Sequence, residues 1–236
     1  MRLTVVGLPI GNIEDISFRA IKTLQEASFI VCEDTRMFRN LWTKLVQLGY
    51  AKEMKASLRF VNDFNEERVL PRLLNEMSTI QDAVLVSDAG MPLISDPGYK
   101  LVKAGVDMGW DISVVPGPTA ESAALSISGL PTDKYMFVGF LPKKPGKRHE
   151  LLTEMSRVAQ EIKCSLVVYE SAARINKLLP EIEEIYGGET EMFVGIDLTK
   201  VSQKVYRGSI SFIKDSFQDK KIKGEICIVI GRKLKG

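Results

Sequence analysis

Three loops in the first half of the chain concentrate Gly, Pro, Ser and Asp directly after apolar runs. They are GLPIGN at 7–12, SDAGMPLISDPG at 87–98 and PGPTAE at 116–121. If the apolar runs are parallel strands, the loops lie at their carboxyl ends, where open α/β sheets bind ligands. Asp88 and Gly90 would offer a hydrogen-bond acceptor and close backbone approach to a ligand's ammonium or hydroxyl groups. Asp96 and Pro97 are instead expected to start the next helix, as N-cap and first residue.

The loops also restrict the kind of ligand. GLPIGN lacks the G-x-G-x-x-G spacing, and G-x-x-x-x-G-K-[ST] occurs nowhere in the chain. Pro9, Pro116 and Pro118 each remove a backbone N–H that a phosphate cradle would use. A dinucleotide or triphosphate is therefore disfavoured, whereas S-adenosylmethionine, with a ribose, a base and a zwitterionic tail, fits better.

Composition argues against several other chemistries. His149 is the only histidine and no C-x-x-C is present, so a zinc site or a histidine-dependent hydrolase is disfavoured, and no metal is expected. Cys32, Cys164 and Cys227 each lie in an apolar run, which favours buried reduced thiols. The net charge of +2 means that contacts to a nucleic acid must come from local basic patches.

Hydrophobic patterning predicts an α/β fold. Apolar runs predict strands at 3–6, 29–32, 58–61, 83–86 and 112–115, then at 136–139, 165–169, 192–196 and 226–230. Stripes of helical period fall at 38–46, 69–77, 151–159 and 175–185. Strand–helix alternation in the first half predicts a mostly parallel sheet with helices on both faces. We expect two small α/β domains, 1–118 and 119–236, with a cofactor cleft between them. No membrane span is expected, and the predicted location is the cytoplasm.

Seven motifs occur in register over nearly the whole chain. They are GLPIGNIEDISFRAIKTLQEASFIVCEDTR, VSDAGMPLISDPGY, PGPTA, GFLPKK, YESAARI, LTK and KGE. Together they resemble the ribosomal RNA small-subunit methyltransferase I family, within the tetrapyrrole-methylase fold. The resemblance implies a homodimer that binds S-adenosylmethionine and methylates the ribose 2′-OH of a cytidine in the decoding region of small-subunit ribosomal RNA. It also implies that the substrate partner is ribosomal RNA or the small ribosomal subunit.

The same resemblance implies site residues. Those lining the cofactor pocket would be Pro9, Ser87, Asp88, Ala89, Gly90, Met91, Pro92, Thr119, Ala120, Tyr169 and Glu170. Those at the cleft mouth would be Glu33 to Arg36, Arg174 and Lys200. The chain departs from the family pattern at Met91, where Thr is usual, at Ile196-Asp197 and at Gln203-Lys204.

A ribose hydroxyl is a poor nucleophile, so a base or an alkoxide-stabilising cation would help. The candidates are Lys200, Glu33, Asp34 and Arg36, and no spacing selects one of them. If Glu33 to Arg36 opens a helix, its acidic residues would interact favourably with the helix dipole. The positive charge of Arg36 would be unfavourable there, which favours a functional role for Arg36.

Basic residues supply the predicted RNA contacts. They are Arg36, Lys143, Lys144, Lys147, Arg148 and Arg174. Pro145 and Gly146 are expected to keep 143–148 out of regular structure, as a mobile arm for phosphates. Another set is expected to be solvated surface only: Lys220, Lys221, Lys223, Arg232, Lys233 and Lys235.

Two alternative functions stay open. One is methylation of a tetrapyrrole or a protein side chain by the same fold, although the G-x-G-P-G-D-type first loop expected of tetrapyrrole enzymes is absent. The other is a non-catalytic RNA-binding assembly factor, against which the intact cofactor loops argue.

Overall fold

A computed structural model describes residues 1–62, 64–218 and 220–232 and divides the chain into two compact units, Met1–Thr119 and Ala120–Gly236. Lys233 and Lys235, expected at the surface, lie outside the described residues. Within the described ranges no helix is both long and apolar enough to cross a bilayer.

The first unit is built on a five-stranded sheet in which all neighbouring strands are parallel. Its strands are β1 (Arg2–Val6), β2 (Phe29–Cys32), β3 (Ser57–Phe60), β4 (Asp82–Leu85) and β5 (Asp111–Val115). Their spatial order is β3-β2-β4-β1-β5. The five strands and the parallel sheet predicted from the apolar runs are confirmed.

Helices cover both faces of this sheet. They are α1 (Phe18–Glu26), α2 (Thr35–Gln47), α3 (Glu66–Met77) and α4 (Tyr99–Asp107), with a short 3₁₀ turn at Ile13–Asp15. Successive strand residues face opposite sides. Ile30 belongs to the core cluster that contains Phe38 of α2, and its neighbour Val31 to the cluster that contains Leu73 of α3. The predicted helices on both faces are therefore confirmed.

The start of α4 differs from the sequence-based prediction. Asp96 and Pro97 were expected to open this helix, but it begins at Tyr99, and the residue before it is Gly98 with φ 116°. Leu93 and Ser95 also have positive φ, 72° and 65°. The chain thus still passes through left-handed conformations on either side of Asp96, and the N-cap prediction for Asp96 is wrong.

The second unit holds a mixed five-stranded sheet. Its strands are β6 (Tyr135–Phe140), β7 (Ser165–Ser171), β8 (Glu191–Ile196), β9 (Lys204–Ser209) and β10 (Glu225–Ile230), in the order β6-β7-β10-β8-β9. Only β6 and β7 are parallel; the other pairings are antiparallel. Four strands match their predictions, whereas β9 was not predicted, because this edge strand carries Lys204, Arg207 and Gly208 instead of an apolar run.

The helices of the second unit are α5 (Ala120–Ser128), α6 (Pro145–Ile162), α7 (Ile175–Tyr186) and α8 (Ile210–Phe217). Leu152 of α6, Leu178 of α7 and Ile213 of α8 share one core cluster with the sheet. α5 packs against β7, β8 and β10. The predicted α6 and α7 are confirmed, while α5 and α8 are short and escaped the periodicity analysis.

The basic segment at 143–148 is not a mobile arm. Pro145 opens α6, because proline lacks the N–H that a first-turn residue leaves unpaired anyway. Lys147 and Arg148 therefore lie on a helix. Arg148 is buried, and its Nε donates to Glu181 Oε2 of α7 at 2.7 Å. The prediction that Arg148 contacts RNA phosphates is wrong, since its guanidinium already joins α6 to α7.

Removing this buried charge should destabilise the protein. We expect Arg148→Ala to lower the free energy of unfolding by about 3 kcal/mol, because the largely buried Glu181 would lose its close partner and keep only His149, whose Nδ1 lies 3.8 Å from Oε1. The exposed neighbour Lys147 supplies the control, and Lys147→Ala should change stability by less than about 0.5 kcal/mol. Urea denaturation measures both variants, and equal losses would contradict the structural role of the ion pair.

Candidate functional site

The three Gly- and Pro-rich loops of the first unit meet at the carboxyl ends of neighbouring strands. They follow β4, β1 and β5, which are adjacent in the sheet. Leu8 N donates to Gly90 O at 2.8 Å, and Gly90 N donates back to Leu8 O at 3.1 Å. This pair of backbone hydrogen bonds joins the loop after β1 to the loop after β4.

Gly7 and Gly117 bring the loops after β1 and β5 into direct backbone contact. A Cβ on Gly7 would lie 2.7 Å from Gly117 Cα, and a Cβ on Gly117 would lie 2.8 Å from Gly7 Cα. Only glycine fits at either position. Gly117 N also donates to Met91 Sδ at 3.3 Å, so the Met that departs from the family pattern helps to hold the junction.

Ser87 and Asp88 join this junction to a fourth strand end. The buried Ser87 Oγ donates to Ala89 O at 3.1 Å, and Asp88 Oδ1 accepts from Asp34 N, after β2, at 3.0 Å. Partial desolvation and the nearby Asp34 charge raise the pKa of Asp88, against the opposing effect of that hydrogen bond. Asp88 thus has a structural partner and still exposes its carboxylate.

Asp34 and Arg36 form hydrogen bonds and an ion pair with each other at the start of α2. Asp34 is the N-cap of α2, and its Oδ1 accepts from Arg36 N at 2.8 Å. The Arg36 guanidinium turns back onto the same carboxylate, with Nη2 2.7 Å from Oδ2. These hydrogen bonds lower the pKa of Asp34 to about 2. The cation at the start of α2 is therefore neutralised locally.

In the second unit, Tyr169 anchors the start of α5. Its hydroxyl donates to the buried Glu121 carboxylate and accepts from Glu121 N at 3.3 Å. Desolvation, then the hydrogen bond to Glu121, raises the pKa of Tyr169. Sequence reasoning missed Glu121, although an acid directly after PGPTA in a helix's first turn was a usable signal.

Two aromatic rings flank Tyr169. Phe137 and Phe140 meet its ring edge-on, with centroids 4.8 and 5.5 Å away. A register shift between Phe137 and Phe140, where Gly139 has φ 66°, allows both to reach the same ring. Phe140 stays exposed.

Glu170 is buried and acts on Arg174. Its Oε1 lies 2.5 Å from Arg174 Nη2, while Oε2 has no hydrogen-bond partner among the described residues. Arg174 also donates from Nη1 to Leu141 O at 3.3 Å. Glu170 therefore orients Arg174. The contact of Glu170 with a cofactor stays a prediction.

Lys200 lies on a tightly bonded loop at 197–203. Its Nζ is 2.8 Å from Glu225 Oε2 and 3.2 Å from Asp197 Oδ1. Desolvation alone would lower the pKa of Lys200, but the two carboxylates outweigh it and raise the pKa. Asp197 and Thr199 have φ 50° and 66°, conformations that non-glycine residues adopt mainly where the surroundings enforce them.

The other predicted residues have less distinctive surroundings. Pro9 and Pro92 are buried, Thr119 and Ala120 are half-buried, and Lys143, Lys144 and Lys147 are exposed.

In the described ranges no group of three or more His, Cys, Asp or Glu side chains is placed to hold a metal ion. Cys32, Cys164 and Cys227 are buried free thiols, as predicted. Burial, with the nearby Asp88 and Asp34 charges, raises the pKa of Cys32 to about 12.

Comparison with known proteins covers both units. The family described as Tetrapyrrole (Corrin/Porphyrin) Methylases matches residues 2–213. Similar solved structures include a cobalt precorrin-4 methyltransferase, with TM-score 0.68 and 20% identity over 98% of this chain and 94% of that one. Uroporphyrin-III C-methyl transferase from Thermus thermophilus, complexed with S-adenosyl homocysteine, gives TM-score 0.66 and 18% identity over 98% and 97%. These likenesses confirm the predicted fold.

Sequence relatives are more similar. Ribosomal RNA small subunit methyltransferase I of Thermotoga maritima is 38% identical over 234 residues, which are 98% of this chain and 99% of that protein. The protein of the same name from Mesorhizobium japonicum is 37% identical over 230 residues, 97% of this chain and 74% of its own length. The resemblance inferred from the motifs is confirmed, and this chain belongs to the ribosomal RNA small subunit methyltransferase I family, within the tetrapyrrole methylases.

Proposed function

We propose that this protein transfers a methyl group from S-adenosylmethionine to the ribose 2′-OH of a cytidine in small-subunit ribosomal RNA. Family membership supports the reaction class. The observation that carries the proposal is the convergence of three loops at the Gly7–Gly117 contact, with the exposed Asp88 carboxylate on one of them.

The residues at this junction fit such a cofactor. Gly7, Gly90 and Gly117 let the three loops converge, because a Cβ on any of them would contact a neighbouring loop. Asp88 offers a carboxylate to the ammonium or the ribose hydroxyls. When bound, the cofactor supplies a methyl group on a sulfonium. The proposed contacts from the second unit, Tyr169 and Glu170, rest on the motif resemblance.

Lys200 is proposed to provide fixed positive charge. Because Glu225 and Asp197 raise its pKa, Lys200 keeps its proton at neutral pH and suits stabilisation of developing alkoxide charge. It does not suit a general base. Asp34 is also a poor base, since its pKa is lowered to about 2. Glu33, directly before it, remains the acidic candidate.

The proposed RNA contacts are now Arg36, Arg174, Lys143, Lys144 and Lys147, without Arg148. We also propose a homodimer, as the resemblance implies, which sedimentation equilibrium would test. Tetrapyrrole methylation is the weaker alternative, because the precorrin and porphyrin enzymes share only 18–20% identity with this chain, against 37–38% for the ribosomal RNA methyltransferases.

The reaction is tested by mapping methyl groups. Small-subunit ribosomal RNA and small subunits, taken from cells without this gene, are incubated with the protein and S-adenosylmethionine, digested and analysed by mass spectrometry. We expect one new 2′-O-methylcytidine. A base-methylated product, or none on either substrate, would refute the proposal.

Two substitutions of Asp88 separate its structural and ligand roles. Asp88→Asn keeps an oxygen that can accept from Asp34 N and removes the charge. If the charge binds the cofactor, Asp88→Asn should weaken S-adenosylmethionine binding by about tenfold or more, since hydrogen bonds to charged groups contribute about 1.5–3 kcal/mol, at nearly unchanged melting temperature. Calorimetric titration measures the affinity. Asp88→Ala should lower both affinity and stability; wild-type affinity in Asp88→Asn would remove Asp88 from the cofactor site.

Substitution of Lys200 should slow methyl transfer without weakening cofactor binding. We expect Lys200→Gln to reduce kcat by about 10²–10³, the usual cost of losing one stabilising donor, with unchanged affinity for S-adenosylmethionine. The control is Glu225→Gln, which removes a partner of Lys200 but leaves the cation; it should retain most of the activity. Loss of cofactor affinity in Lys200→Gln would assign Lys200 to the cofactor pocket instead.

A further inference from the structure

A basic cavity of about 440 Å³ lies in the second unit, outside the loops discussed above. Four lysines line it: Lys204 at the start of β9, and Lys220, Lys221 and Lys223 in the segment before β10. All four are exposed. The last three are exposed, as expected from the sequence, and in the structure they also cluster around one cavity with Lys204.

Acidic side chains lining the cavity do not neutralise its lysines. Among the described residues that line it, Asp197 is the only acid, and its carboxylate already accepts from Ser202 Oγ at 3.0 Å, Lys200 Nζ at 3.2 Å and Glu225 N at 3.2 Å. Asp197 is thus bound to the 197–203 loop and β10. The four lysines are left to attract an external anion.

An aromatic residue, Tyr206, also lines the cavity. Tyr206 of β9 meets Phe217 of α8 edge-on at 4.7 Å between centroids, and Lys220 Nζ lies 6.0 Å from the centroid of the Tyr206 ring. A cation over an aromatic face is attracted by the ring. This contact directs at least one of the lysines into the cavity region.

The cavity adjoins the segment that carries Lys200. Asp197 and Ser202 both line the cavity and both belong to the 197–203 loop. A strand of polyanion held by the lysines would therefore run beside the loop that presents the proposed alkoxide-stabilising cation.

We infer that this cavity binds phosphates of the substrate RNA strand, close to the nucleotide that is methylated. The inference rests on the proposed function for the nature of the substrate. Several lysines around one groove suit a run of phosphodiesters, because neutralising each phosphate releases counterions and gains affinity. A contact of this kind positions the RNA and carries no base specificity.

The test is the salt dependence of RNA binding. The variant replaces Lys220, Lys221 and Lys223 with Gln, and filter binding to a small-subunit ribosomal RNA transcript is measured over a salt series. Each lost contact should flatten the slope of log affinity against log salt by about 0.7, so the triple variant should lose about 2 units of slope. The charge-matched control replaces Lys22, Lys44 and Lys134, which are exposed and do not line this cavity.

The outcomes separate the two proposals. A flatter slope in the cavity variant only, with unchanged S-adenosylmethionine affinity and melting temperature, supports the inference. An unchanged slope, or an equal change in both variants, overturns the cavity while leaving the proposed function intact, provided that the wild-type protein binds the transcript and methylates it. A wild-type protein that neither binds nor methylates RNA would overturn both.

Discussion

The candidate site in the first unit depends on a close backbone contact between two glycines. Gly7 and Gly117 approach so closely that a Cβ on either would clash with the other's main chain. This contact fixes the loops after β1 and β5, and the Leu8–Gly90 hydrogen bonds add the loop after β4. Through Asp88 and Asp34 the end of β2 is included as well. Four neighbouring strand ends are thus held mainly by main-chain groups.

This construction has a chemical consequence. Because the loops are joined mainly by main-chain contacts, Asp88 remains exposed, which suits a ligand with a hydroxylated sugar and a charged tail. One charged group in each unit is fixed in one ionisation state. Arg36 lowers the pKa of Asp34, and Glu225 and Asp197 raise the pKa of Lys200. We therefore propose a structural role for Asp34 and a charge-stabilising role for Lys200.

Local sequence patterns predicted the features that depend on neighbouring residues, namely the strands and the loops at their ends. Apolar runs identified nine of the strands, and the shared composition of three loops identified the neighbouring strand ends. The predictions failed where contacts with other parts of the chain, or unusual backbone conformations, determine a residue's role. By its sequence context Arg148 resembles a surface cation, but Glu181 of another helix lies beside it and pairs with it. Asp96 resembled an N-cap, but the left-handed residues around it delay the helix. The partnership of Glu121 with Tyr169 joins residues far apart in the chain and leaves no periodic signal.

The central claim is that S-adenosylmethionine binds at the Gly7–Gly117 junction. The most direct measurement is a crystal structure of the protein with S-adenosylhomocysteine, the product of methyl transfer. The account predicts ligand density against the backbone of the loops after β1, β4 and β5, with the Asp88 carboxylate within hydrogen-bonding distance of a ligand hydroxyl or ammonium. Ligand bound elsewhere, with these loops untouched, would contradict it.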